Sequence, residues 1–205
     1  MRTWFLVVTL ALALAACDDA SVRDPRPPIA QTGEMVEVSE ESLAVIAAQH
    51  VDVALEQIVL DRRLRSECGE PFRRLHAEAD FAGADVQLGL RVGECLEDDT
   101  NTYYCEEPPA DIRGDTVELL RCDRLELEDG RVVDSGIDVA YQEGRYRVAV
   151  MHGDGIEFHV STRTDEPSPI GLGALVAIAS DPAIGARVDS AYVDAVDEVP
   201  ISTGP

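Results

Sequence analysis

The chain contains no lysine. All seventeen basic residues are arginine, set against 40 aspartates and glutamates, for a formal charge of -23. That balance argues against a nucleic-acid partner, because phosphate backbones are held by neutralising them with basic side chains. Aromatic residues are scarce at 5%, and the one tryptophan is Trp4. Catalytic signatures are missing too: there is no G-x-S-x-G, no H-E-x-x-H and no P-loop. Gly171-Leu172-Gly173-Ala174 opens like a dinucleotide fingerprint, but the third small residue is absent and a proline-rich loop precedes it where a strand is required, so it reads as a packing helix. No C-x2-C pair exists, which removes the usual zinc spacing. From these absences no enzyme activity and no cofactor are expected.

One long apolar run is present. It extends from Trp4 to Ala16, holds a single polar residue, Thr9, follows Arg2 and ends at Cys17-Asp18-Asp19. The layout is that of a secretory signal, too short to span a bilayer as a helix of about 20 residues. Within it, Leu14-Ala15-Ala16-Cys17 resembles the lipobox of bacterial lipoproteins. The resemblance implies a signal peptide over 1–16, a diacylglyceryl group on the Cys17 thiol, cleavage just before that residue and often a further fatty chain such as palmitate on the new amino group. Ala13-Leu14-Ala15 also offers an ordinary A-x-A cleavage site. Asp18 resembles the inner-membrane retention signal of some enterobacterial lipoproteins. Each lipid methylene in the bilayer contributes about 0.8 kcal/mol, so two or three chains hold firmly what one holds marginally. A body this acidic is repelled by anionic lipid, so the lipid on Cys17 must supply the membrane attachment. The expected location is the cell envelope, on the extracytoplasmic face of a membrane.

Assigning Cys17 to lipid leaves Cys68, Cys95, Cys105 and Cys122 for two disulfides in an exported chain. Three connectivities are open. Cys95 with Cys105 is favoured, because Asp98-Asp99-Thr100-Asn101 reads as a turn that brings their flanks together, leaving Cys68 for Cys122.

Residues 17–34, with Pro25, Pro27, Pro28 and Gly33, read as lipidated cysteine plus flexible tether; residues 35–196 as one ectodomain; and residues 197–205 as a frayed tail. Ser39 caps an expected helix from Glu40 to about Arg63, whose apolar face carries Leu43, Ile46, Ala47, His50, Ala54 and Ile58. His50 reads as a satisfied core or boundary histidine. The basic cluster Arg62, Arg63, Arg65, Arg73 and Arg74 follows that helix, where positive charge offsets its dipole. The segment Phe72 to Phe81 suits helix or strand equally. Val86, Leu88, Leu90 and Val92 alternate with polar or small residues as a half-buried strand.

The acidic stretch from Glu94 to Glu107 gathers Glu94, Glu97, Asp98, Asp99, Asn101, Glu106 and Glu107, an oxygen-rich set suited to calcium. Thr100, Thr102 and Tyr103 interrupt the EF-hand pattern, so a solvated acidic loop is expected and no metal site. A meander follows from Val117. A Glu143-Gly144 turn would pair Tyr141 with Tyr146, Val139 with Val148 and Ile137 with Val150. A Gly153-Asp154-Gly155 turn would pair Val150 with Phe158 and Val148 with Val160. An Asp129-Gly130 turn would pair Glu128 with Arg131 and Leu127 with Val132. That register places His152 and His159 on opposite faces of the sheet, unable to share a ligand. Ser168-Pro169 starts a helix to about Ala179, and Asp189 a shorter one to Val196.

The order of elements predicts an α+β fold: an antiparallel β-meander of five or six strands packed against a long N-terminal helix, with short C-terminal helices. A cystatin-like helix-on-curved-sheet arrangement is the first architecture, a closed barrel or sandwich the second. The expected role is a non-catalytic ectodomain that binds or scaffolds another envelope protein. The alternative is small-ligand binding in a pocket between sheet and helix, and behind it an uncharacterised hydrolase.

Overall fold

The computed structural model describes residues 28–60, 73–93, 105, 121–141, 144–153, 155–163 and 168–203. The first helix, α1, runs Glu40–Ala47. Ser39 caps it as expected: the Ser39 hydroxyl accepts from the Ser42 N–H and the Ser42 hydroxyl accepts from the Ser39 N–H, a capping box. Glu40 and Glu41 sit in its first turn, where negative charge is favourable.

It does not continue to Arg63. Ala48 closes the helix, and after Val51 and Val53, whose branched Cβ atoms disfavour helix, the chain becomes strand β2, Leu55–Leu60. The misleading signal was the four-residue spacing of Ala54 and Ile58, which extended the apolar stripe past Ala48. Ala54 instead precedes the strand, and a bulge between Leu55 and Gln57 lets Leu55 and Ile58 both enter the core from β2. Among the described residues the protein is therefore mostly β, with 47% strand and three short α-helices, and neither the predicted α+β class with its long N-terminal helix nor its cystatin-like arrangement holds.

A small sheet joins β1, Met35–Glu37, to β9, Arg187–Asp189. The large sheet adds to β2 the strands β3 (Arg73–Phe81), β4 (Asp85–Val92), β5 (Arg121–Glu126), β6 (Val132–Tyr141), β7 (Gly144–Gly153), β8 (Ile156–Arg163) and β10 (Ile201–Thr203). Their order is β10-β2-β3-β4-β8-β7-β6-β5, antiparallel except where β10 runs parallel to β2. The ambiguous 72–81 segment is thus strand β3, and β4 matches its predicted alternation, with Val86, Leu88 and Leu90 buried. The tail expected to fray supplies β10 instead: the Ile58 N–H donates to the Pro200 carbonyl, and the Gln57 side-chain amide donates to Ser202.

All three predicted hairpin registers shift. Gly153 pairs with Ile156, leaving two turn residues rather than three, with Gly155 at φ 70. Asp-Gly favours this two-residue turn because its twist matches the strands. Met151 and Ala149 consequently face Phe158 and Val160, while Val150 meets His159 and Val148 meets Ser161. In the β5–β6 hairpin, Leu127 and Arg131 bracket a three-residue loop closed by Gly130 at φ 88, so Glu126 pairs with Val132. In β6–β7, Tyr141 pairs with Gly144 and Val139 with Tyr146, and a second bulge between Gly136 and Val139 puts Gly136 opposite Val148.

The helices lie on one face of the large sheet. Helix α1 packs on β2, β3 and β4; α2, Leu172–Ala179, packs on β6, β7 and β8. Between them Phe81, Phe158, Leu88, Leu90, Met151 and Ile178 are fully buried. Each such side chain contributes about 1.5–3 kcal/mol by leaving water. Gly171, not Ser168, precedes α2, although Ser168 does accept from the Ile170 N–H. Asp189 caps α3, Ser190–Asp194, as predicted, accepting from the Ala191 N–H, and a 3-10 turn continues to Glu198.

Asp189 has a second task. Its carboxylate also accepts from the Thr32 N–H and hydroxyl at 3.0 and 2.9 Å and from the Gly33 N–H at 2.7 Å. The end of the predicted tether is therefore clamped to the body, and Ile29 packs against the core. These bonds, led by that from Thr32, hold the Asp189 carboxyl down at about 2. Among the described residues no helix is long and apolar enough to cross a membrane.

Candidate functional site: the polar face of the sheet

Period-two alternation gives the strands that build the core a second face, and their registers align its side chains in rungs. One rung crosses β3, β4, β8 and β7 as Arg74, Arg91, Glu157 and His152. The next reads His76, Gly89, His159 and Val150, and continues to Asp134 on β6 and Arg124 on β5. A third reads Glu78, Gln87, Ser161, Val148, Gly136 and Cys122. Three of the four histidines of the chain share this face.

A hollow of about 360 Å³ opens on the first two rungs and reaches the third. Its polar lining includes Arg74, His76, Arg91, Glu157, His159 and Ser161; Tyr146, Val148 and Val150 supply an apolar wall. Gly89 leaves the floor without a side chain between the two imidazoles. A Cβ there would meet that of His159 at 3.9 Å, ordinary contact, so the gap is open space rather than a steric necessity. Arg91 lies 3.3 Å from Glu157. The Arg163 guanidinium stands 5.9 Å from the centre of the Tyr146 ring. Burial, then the neighbouring positive groups His76 and Arg91, depress His159 to about 4, so it is neutral at pH 7.

Beside the hollow lies a buried carboxylate. Asp134 is 1% exposed, and Arg124 grips it with two parallel bonds of 2.7 and 2.8 Å. The Cys105 N–H donates to it at 3.1 Å, and His152 Nε2 lies 3.3 Å away. Burial alone would raise this carboxyl; the Arg124 bonds, the Cys105 N–H and the charges of Arg124 and His152 outweigh it and leave it lowered. Cys105 is disulfide-bonded to Cys122, with Cα atoms 5.5 Å apart. The favoured Cys95–Cys105 pairing is thereby corrected, and Cys68 cannot take Cys122. The reason is positional: Cys122 projects two residues from Arg124 on the same face, next to the carboxylate that holds the Cys105 backbone.

Scans against family models, curated proteins and solved structures return no match. Whatever this face does must be read from its own chemistry.

Of the residues singled out in the sequence, Cys17, Cys68, Cys95, Arg62, Arg63, Arg65 and the acidic loop around Cys105 lie outside the described residues. Among the described ones, no group of three or more His, Cys, Asp or Glu side chains is placed to hold a metal. His50 is partnered, its Nε2 2.5 Å from Asp181. His152 and His159, expected on opposite faces, share one face after the one-residue change in register. Arg74, read as a helix-terminal charge, is in strand β3 and lines the hollow. His76, Gln87, Arg91 and Glu157 were missed as site residues. The available signals were the Asp154-Gly155 dipeptide, which sets the register, and Gly89 inside an otherwise good strand, a position that often marks close approach of a ligand.

Proposed function

We propose that this is a lipid-anchored envelope protein whose ectodomain binds a small ligand, without converting it, in the hollow on the polar face of the large sheet. The observation that carries the reading is that cavity of about 360 Å³, with polar groups converging from β3, β4 and β8 over an apolar wall from β7. Its size falls at the small end of ligand sites, which run from about 300 to 1,000 Å³. The pocket expected between sheet and helices is not the one used: that interface is filled by Phe81, Phe158, Leu88 and Met151. Scaffolding of another envelope protein, the first role expected from the sequence, gives way because the hollow offers a concrete site. Anchoring rests on the lipobox-like Leu14-Ala15-Ala16-Cys17, and a chain of charge -23 is poorly suited to nucleic acid.

Native mass spectrometry of the protein extracted from its own membranes tests both halves. A retained small molecule, together with a diacylglyceryl mass on Cys17, is the expected result. An empty protein that no fragment library stabilises against heat counts against the binding half. An unmodified thiol at Cys17 counts against the anchoring half.

A further inference from the structure

The charged groups around the hollow are already engaged. Arg74, His76, Arg91 and Glu157 each have partners within the protein, and Arg91 stands 3.3 Å from Glu157 with only 20% and 18% of the two side chains exposed. An anionic ligand would have to displace Glu157 from Arg91, and a cationic one would have to displace Arg91 from Glu157. Separating such a pair strands the charge left behind, away from most of its water. The apolar side is equally closed. Val148 and Val150 are 3% and 1% exposed, so an apolar ligand would remove little further surface from water.

What the hollow does offer is a mixture of hydrogen-bond donors and acceptors. A guanidinium bonded to one carboxylate keeps further N–H donors, and the carboxylate keeps further lone pairs. His159, neutral at pH 7, supplies one ring nitrogen as donor and the other as acceptor. Gln87, exposed on the third rung, adds an amide that does both. A hydroxyl is the neutral group that gives and takes at once. A ring carrying several of them therefore meets every kind of group on this lining without opening the ion pair. Gly89 leaves space for it between the two imidazoles, and half-buried Tyr146 gives its C–H face a surface to rest on. At about 360 Å³ the hollow suits one such ring rather than a chain of them.

We infer that the hollow takes a neutral polyhydroxylated ring, a sugar or cyclitol unit, held over Gly89 by Arg91, Glu157, His159 and Gln87. This rests on the ligand-binding reading above and names the ligand class. The Arg91–Glu157 pair stays closed and binds through its remaining N–H groups and lone pairs, so a charge on the ligand is a penalty here.

The test is isothermal titration of the full-length chain at pH 7 in a polyoxyethylene detergent, which has no sugar headgroup. The probes are glucose, N-acetylglucosamine, myo-inositol, glucuronate, glucosamine and cyclohexanol, each corrected by a detergent blank. At least one of the three neutral polyols is expected to bind roughly tenfold or more tightly than glucuronate, glucosamine and cyclohexanol, the worth of one or two hydrogen bonds. Raising sodium chloride to about 0.5 M should change that affinity by less than about twofold, since no ion is exchanged. Gln87→Ala, at an exposed position that does not endanger folding, should weaken it by roughly fivefold or more. Equal or tighter binding of glucuronate or glucosamine means that charge is read, and overturns the inference. So does cyclohexanol binding as tightly as the polyols, a tenfold loss in salt, or unchanged affinity in Gln87→Ala. In each of those cases small-ligand binding stands. If no polyol binds, the inference falls, and the reading beneath it falls with it only when the native protein also carries no small molecule.

Discussion

Two faces of the same strands differ in almost everything but their backbone. On β8, Phe158 and Val160 point into a helix-covered interior, while Glu157, His159 and Ser161, the residues between and beside them, point toward the hollow. On β4, Leu88 and Leu90 are buried, and Gln87, Gly89 and Arg91 line the other side. The contrast teaches that one register decides both fold and chemistry: a one-residue slip exchanges the two sets.

That division can be broken at its strongest point. Phe158→Ala on the packed face should cost about 3–5 kcal/mol in chemical denaturation, the usual loss for a buried aromatic plus its cavity. A loss below about 1 kcal/mol would mean that this face is not the one that holds the fold. Next is the covalent link on the other face. Replacing Cys105 and Cys122 together by serine opens a link across 17 residues of sequence. It should lower stability by about 3 kcal/mol, with no change if the bridge adds nothing beyond the Asp134 bonds.

The third prediction concerns His159. Because its folded pKa lies near 4, below the ordinary 6.5, the unfolded chain takes up a proton first as pH falls. Stability should therefore drop between pH 6.5 and about 4, by on the order of 3 kcal/mol, and level off below that. Urea titrations across this range should show a flatter profile for His159→Gln; an unchanged slope assigns the drop to other groups. The smallest effect is expected at Gly89. Its Ala variant meets only ordinary contacts, so stability should move by less than about 1 kcal/mol. Binding of any small molecule retained by the native protein should still weaken as the floor between His76 and His159 fills. A large loss of stability there would show the polar face to be as tightly packed as the other.

The sequence disclosed a good deal locally. The Ser39 and Asp189 caps, the alternation of β4 and the positions of several turns were all legible, because each depends on neighbours in sequence. What failed depended on counting. Val148, Ala149, Val150 and Met151 are apolar at both parities and all are buried, so β7 by itself could not say which side was the core. The turn had to decide, and taking Gly153-Asp154-Gly155 as three residues rather than Asp154-Gly155 as two inverted β8 and separated His152 from His159. The overlong helix had a related origin: Ile58 follows Ala54 at a helical spacing of four, but it belongs to the buried side of β2. The hollow was illegible for a further reason: its residues come from four strands, and only correct registers bring Arg74, Arg91 and Glu157 into line.

The pairing of β10 with β2 ties Ser202 to Gln57 across 145 residues of chain. A polypeptide delivered N-terminus first must therefore hold β2 with one edge unsatisfied until nearly everything else has emerged. Contacts of such long range slow folding, and an open strand edge invites wrong partners during the wait. Fusing a bulky tag directly after Thr203, or ending the chain at Pro200, should accordingly harm the yield of folded protein more than it harms the finished molecule.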